Sequence, residues 1–113
     1  MHEFGIAQEI VRVVQEHAKR SDAQQVSGVI ISIGKLSGVV FEALEFCLSV
    51  CVKGTPLESA DFKMEHIPAL ARCKECLTHF DLVRHEFMCP VCKKSNWHIV
   101  SGKELFIKEI EVV

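Results

Sequence analysis

The 113-residue sequence lacks most features that would assign it to a large functional class. It has no surplus of basic charge: 15 acidic residues outweigh 13 lysines and arginines, for a net charge of -2. The basic residues are scattered, and Lys19-Arg20 and Lys93-Lys94 are their longest clusters. Nucleic-acid binders concentrate Lys and Arg, because neutralising phosphates dominates their affinity. Nucleic acid is therefore not the expected partner. No apolar run approaches the roughly 20 residues of a membrane-spanning helix, so no membrane partner is expected either. No basic segment followed by an apolar stretch opens the chain, so no export signal is read. There is no Ser/His/Asp set and no glycine-rich phosphate loop, and the expectation is a protein that is not an enzyme. Internal repeats and low-complexity segments are absent beyond one doubled cysteine motif.

What is present suffices for a folded domain. Apolar residues make up 49% of the chain and charged residues 25%, the balance of a globular protein with a real core. The length is that of one domain with room for a small subdomain. Six cysteines without an export signal point to the reducing cytoplasm, where thiols bind metal or pack in the core.

Residues 4–20 read as an amphipathic helix, with Phe4, Ala7, Ile10, Val11, Val14 and Ala18 on one side. Val26 to Ile33 is β-branched and reads as a strand. Gly34 and Gly38 bracket a turn, with Ser37 the expected N-cap of a second helix over roughly 39–52. Val40, Ala43, Leu44, Cys47, Leu48 and Cys51 form its stripe, and Phe41, Phe46 and Val50 widen it. Such a helix is either deeply buried or touches another chain, which leaves room for a homodimer. Cys47 and Cys51 are expected to pack as small hydrophobes. Residues 60–67 alternate as a half-buried strand that Pro68 ends. A cysteine-bearing insert follows, with strand pieces near Phe80-Leu82 and Trp97-Val100. Glu104 to Val113 reads as a last strand returning to the first sheet.

The expected fold is α+β: a small α/β lobe of two helices on a three-stranded sheet, interrupted by a zinc-ribbon-like lobe. The expected domains are residues 1–67 plus 101–113, and residues 68–100.

Cys73-Lys74-Glu75-Cys76 and Cys89-Pro90-Val91-Cys92 are two CxxC pairs with 12 residues between them. Two residues between cysteines let one tight turn present both sulfurs to one ion, and zinc favours a tetrahedron of thiolates. An insert of this size with few large apolar groups depends on metal coordination for stability. Four thiolates leave no open position for water, so the zinc is read as structural. One CxxC can serve as a redox dithiol, but a facing pair is not what thiol exchange needs. His79, His85 and His98 lie in or beside the insert and are read as surface or packing residues, with ligand exchange as the alternative.

The opening Met1-His2-Glu3 is a second place for metal chemistry. An α-amine, the amide of residue 2 and the His2 imidazole can close adjacent chelate rings, and nitrogen-rich planar sets favour Ni(II) or Cu(II). A histidine at position 2 is also common as a plain polar residue at a frayed end.

These features together resemble the HypA/HybF family of hydrogenase nickel-insertion accessory proteins over essentially the full length. The resemblance rests on the Met1-His2-Glu3 opening, the strand ending Ile33-Gly34-Lys35-Leu36-Ser37, the Phe46-bearing helix and Gly54-Thr55. It also includes the doubled CxxC and Ser101-Gly102-Lys103-Glu104-Leu105. It implies a nickel metallochaperone that binds nickel at Met1, His2 and Glu3, with structural zinc at Cys73, Cys76, Cys89 and Cys92. It also implies delivery to the large subunit of [NiFe]-hydrogenase with the accessory GTPase HypB; in some members nickel serves urease as well. Some members offer a carboxylate shortly after the first strand. Here Val40 cannot ligate, and Glu42 is the nearest acid. The competing reading is a zinc-ribbon module that binds protein or nucleic acid without transporting metal.

Overall fold

The structure, a computed structural model, describes residues 2–113. Helix α1 (Glu3–Arg20) leads into strand β1 (Val26–Gly34) and helix α2 (Phe41–Cys51). Strands β2 (Asp61–Ile67), β3 (Leu70–Cys73), β4 (His79–Asp81), β5 (Trp97–Ser101) and β6 (Leu105–Val112) follow. They form two three-stranded sheets, ordered β2-β1-β6 and β4-β3-β5. The last strand thus returns to the first sheet, as an α+β fold with an inserted module requires.

The chain divides into two compact units. The first takes in the residues up to Ser32, then Val39–Glu65 and Phe106–Val113. The second holds Ile33–Gly38 and His66–Leu105.

In the first unit, α1 buries Ala7, Ile10, Val11, Val14 and Ala18, which recur at helical spacing. Each fully buried Val or Ile side chain contributes about 1.5–3 kcal/mol. Strand β1 is central in its sheet, and Val26, Val29 and Ile31 are each at most 1% exposed. Phe4 departs from the expected stripe and is 49% exposed; Glu3 is buried in its stead. Helix α2 packs on α1 but buries only Leu44 and Leu48. Phe46 remains 69% exposed and Cys47 and Cys51 are half-buried, so α2 is a surface helix rather than a deeply buried one.

Ser37 is not the N-cap of α2. That position belongs to Val40, because the left-handed turn at Gly38 (φ +81°) delays the helix start by three residues. No side chain of Val40 can cap, and the role passes to a residue distant in sequence, described below.

The second unit has a small core of Ala69, Ala71, Cys73, Phe80, Leu82 and Cys89, with Leu36, Cys92, Trp97 and Ile99 against it. Its central strand, β3, pairs antiparallel with both β4 and β5. Trp97 Nε1–H donates to the Phe87 carbonyl at 2.9 Å and ties the loop before Cys89 to β5.

Two glycines set the entry to this unit. The Gly34 N–H donates to the Glu104 carbonyl and the Leu36 N–H to the Gly102 carbonyl, both at 2.7 Å. This crossing brings the backbones so close that a Cβ on Gly34 would collide with the Gly102 carbonyl. Gly5 in α1, by contrast, has nothing within 4 Å of an added Cβ. Gly34→Ala is expected to cost about 3 kcal/mol or more, by overpacking against backbone. Gly5→Ala is expected to stabilise by roughly 0.5–1 kcal/mol, through helix propensity. Urea denaturation of the two variants checks both signs.

Candidate metal centres

The two CxxC segments fold into matching turns. The Leu77 N–H donates to the Cys73 carbonyl at 3.0 Å, and the Cys73 N–H to the Thr78 carbonyl at 2.9 Å. In the second turn the Lys93 N–H donates to the Cys89 carbonyl and the Cys89 N–H to the Lys94 carbonyl, both at 3.0 Å. The residue after each pair lies in the left-handed region, Leu77 at φ 64° and Lys93 at φ 62°. Neither is glycine, so each turn carries a backbone cost of about 1–2 kcal/mol that the remaining contacts must offset.

The turns bring four sulfurs together: Cys73, Cys76, Cys89 and Cys92 have their ligand atoms within 4.8 Å of one another. Cys73 Sγ lies 3.5 Å from Cys92 Sγ, and Cys76 Sγ 3.5 Å from Cys89 Sγ. Sulfurs at ~2.3 Å from a tetrahedral ion stand about 3.8 Å apart, so the cluster fits a zinc site of four thiolates. Among the described residues this is the one such cluster of three or more His, Cys, Asp or Glu ligand atoms.

The protonation of the cluster is uneven. The Thr78 hydroxyl lies 3.2 Å from Cys76 Sγ and, with the Thr78 N–H, brings that exposed thiol down to about 6. At Cys92 the Lys94 N–H lowers the thiol, but burial and the neighbouring cysteines outweigh it and push it up to about 11. Thiolates this close repel one another, and a divalent cation among them removes the repulsion.

His79 and His98 are exposed on β4 and β5, and the His85 ring packs edge-on against Phe80 at 6.3 Å. None of the three belongs to the cysteine cluster.

At the other end of the chain, Met1 lies outside the described residues. His2 is exposed and is the N-cap of α1; its carbonyl accepts the Ile6 N–H at 2.8 Å. Glu3 is only 4% exposed, and its Oε2 accepts the Val40 N–H at 3.0 Å. This is the long-range cap of α2, and the Val40 N–H is the main cause holding the Glu3 carboxyl at about 2. Glu42 is exposed in the first turn of α2, two residues beyond this contact. The structural role of Glu3 was not foreseen from sequence; an acid in the first turn of a helix was the sole local signal.

Three comparisons bear on this arrangement. A family model described as "Hydrogenase/urease nickel incorporation, metallochaperone, hypA" matches residues 1–112. The "Hydrogenase maturation factor HypA" of Nostoc punctiforme is 42% identical over 112 residues, covering 99% of this chain and 96% of that protein. The protein of the same name from Geotalea uraniireducens is 39% identical over 112 residues, covering 99% of each. The solution structure of the Ni metallochaperone HypA from Helicobacter pylori superposes with a TM-score of 0.69 at 21% identity, covering 100% of this chain and 98% of that one. At that identity the superposition speaks for the fold.

The Glu3 carboxylate has a folded value of about 2 against an ordinary 4.5. A depressed value stabilises the fold fully above 4.5 and loses that contribution as pH falls toward 2. Glu3→Gln keeps an acceptor oxygen and removes the charge. Its stability deficit relative to wild type, from urea denaturation at successive pH values, is expected to shrink across that window. A deficit of constant size would contradict the assignment.

Proposed function

Because the chain belongs to the HypA family of hydrogenase/urease nickel incorporation metallochaperones, we propose that it binds Ni(II) at its amino end and helps insert it into [NiFe]-hydrogenase. In this reading the ligands are the Met1 amine, the His2 amide and imidazole, and Glu3 through its amide nitrogen. Structural zinc sits at Cys73, Cys76, Cys89 and Cys92. The partners are the accessory GTPase HypB and the hydrogenase large subunit, with urease as a second destination in some members, and the compartment is the cytoplasm. The exposed Phe46 and Val50 on α2 leave a face on which two copies can meet.

The observation that carries the reading is the family match beginning at residue 1, which takes in the Met1-His2-Glu3 opening. The site chemistry supports it. Nitrogen ligands in adjacent chelate rings suit nickel, whereas four soft thiolates in a tetrahedron suit zinc. The Glu3 carboxylate is engaged by the Val40 N–H, so its use as a ligand would cost that bond.

Nickel is the cargo, and a chaperone site must both hold and release it. At a helix start the first N–H groups have no intrahelical acceptor, so metal binding there breaks no bond of the helix ladder. Ligands at a chain terminus can be exchanged one at a time for those of a partner. Among the described residues no helix is long and apolar enough to cross a membrane. The zinc, when bound, closes the second unit around its thiolates, where the buried core cluster otherwise holds Ala69, Ala71, Phe80 and Leu82.

Tag-free wild type, His2→Ala and a variant with one extra N-terminal glycine test the proposal by nickel titration and metal analysis. Both variants are expected to lose nickel affinity by about 100-fold or more while keeping one zinc per chain. A strong chelator is expected to abolish the β4-β3-β5 amide dispersion in NMR spectra and to spare α1. Unchanged nickel affinity in either variant overturns the nickel site. Retained dispersion in demonstrably metal-free protein overturns the zinc assignment.

A further inference from the structure

The β4-β3-β5 sheet has a second face that the cysteine cluster does not use. Ala71, Cys73 and Phe80 turn inward to the core. Strand alternation sends Arg72 to the opposite side. The register pairs Arg72 with His79 on β4 and with His98 on β5. Residues directly opposed in antiparallel strands stand about 5 Å apart, so the three side chains form one row. Its order is imidazole, guanidinium, imidazole. Both histidines are exposed and Arg72 is half-buried.

Two independent observations give this row a direction. The Arg72 Nε is buried without a hydrogen-bond partner. A guanidinium N–H removed from water and left unmatched costs free energy until an acceptor arrives. Charge is also segregated along the chain. The second unit holds seven of the 13 lysines and arginines but only four of the 15 acids, a surplus of three positive charges. The remaining residues carry six bases against eleven acids, a deficit of five. The near-neutral total hides a basic module within an acidic chain.

The acid nearest the row in register is Asp81, two residues from His79 on β4. One of its oxygens accepts the Arg84 N–H at 3.0 Å, so it is engaged with its own loop.

We propose that the Arg72 row is a docking seat for carboxylates of an extended acidic segment of a partner protein. Arg72 takes one carboxylate through its planar fork, and the His79 and His98 N–H groups take oxygens on either side. Donors set at strand spacing suit side chains of an extended peptide. A long polyanion such as nucleic acid suits the chain less, because the net charge of the whole is -2. The seat does not depend on nickel being the cargo.

The test uses zinc-loaded full-length protein and a fluorescein-labelled peptide of alternating glutamate and serine, read by fluorescence anisotropy. Its glutamine counterpart and labelled oligothymidylate serve as comparisons. Saturable binding of the glutamate peptide is expected, with little binding of the other two. Arg72→Gln is expected to weaken it at least about fivefold, and Arg72→Lys nearly as much, because an ammonium lacks the fork. Lys103→Gln, which removes the same charge elsewhere in the unit, is expected to stay within about twofold. If Arg72→Gln fails to retain zinc, the double variant His79→Gln/His98→Gln, at two exposed positions, decides by the same weakening. The seat is overturned by absent glutamate-peptide binding, by equal losses in Arg72→Gln and Lys103→Gln, by unchanged affinity in the double histidine variant, or by equal binding of oligothymidylate.

Discussion

The second unit depends on four cysteine sulfurs drawn within 4.8 Å of one another. Its core cluster has Phe80 and Leu82 as large side chains beside two alanines and two of those cysteines, and Ile33 is the one other large side chain of the unit that is fully buried. Burying so little apolar surface stabilises a module of this size weakly, against a backbone entropy of about 1–2 kcal/mol per residue. Two turns with left-handed residues at Leu77 and Lys93 add to the cost. A metal ion held by the four thiolates would offset these terms in one step, because coordination free energy becomes folding free energy. The row of half-buried Arg72 and exposed His79 and His98 lies on the face of the β4-β3-β5 sheet opposite its core.

The first unit is built differently. Ordinary packing supplies its stability, with α1 and β1 contributing nearly all of the best-buried Val and Ile side chains. The buried charged residue is Glu3, whose carboxylate caps the start of α2 through the Val40 N–H. One residue therefore both begins the first helix and anchors the second. That double role ties the first turn of α1 to the start of α2. It also gives the side chain of residue 3 a structural role.

Much of this was legible in the sequence because the signals are local. The CxxC pairs state their turn geometry within four residues each, and the helical stripe from Ala7 to Ala18 repeats at a fixed period. The closing strand was placed in the first sheet by its element order. Other features were not legible. Strand β3, at the centre of the second sheet, has four residues, too few for alternation to stand out. The Glu3–Val40 bond joins residues 37 apart, and nothing local announces it. Ser37 carried the local signature of a helix cap, yet the turn at Gly38 moved the helix start beyond its reach. The apolar width of α2 pointed to deep burial or to contact with another chain; within the chain α2 buries Leu44 and Leu48, and Phe46 stays exposed. The charge surplus of the second unit was hidden in the total, because it depends on where the chain divides in space.

The account holds that one chain keeps two chemically distinct sites, nitrogen ligands for nickel and sulfur ligands for zinc. X-ray absorption at both metal edges, on protein carrying one equivalent of each ion, tests this most directly. The expected result is a nickel shell of nitrogen and oxygen with imidazole scattering and no sulfur, beside zinc with four sulfurs at ~2.3 Å. Sulfur in the nickel shell, or nitrogen replacing sulfur around zinc, would contradict it.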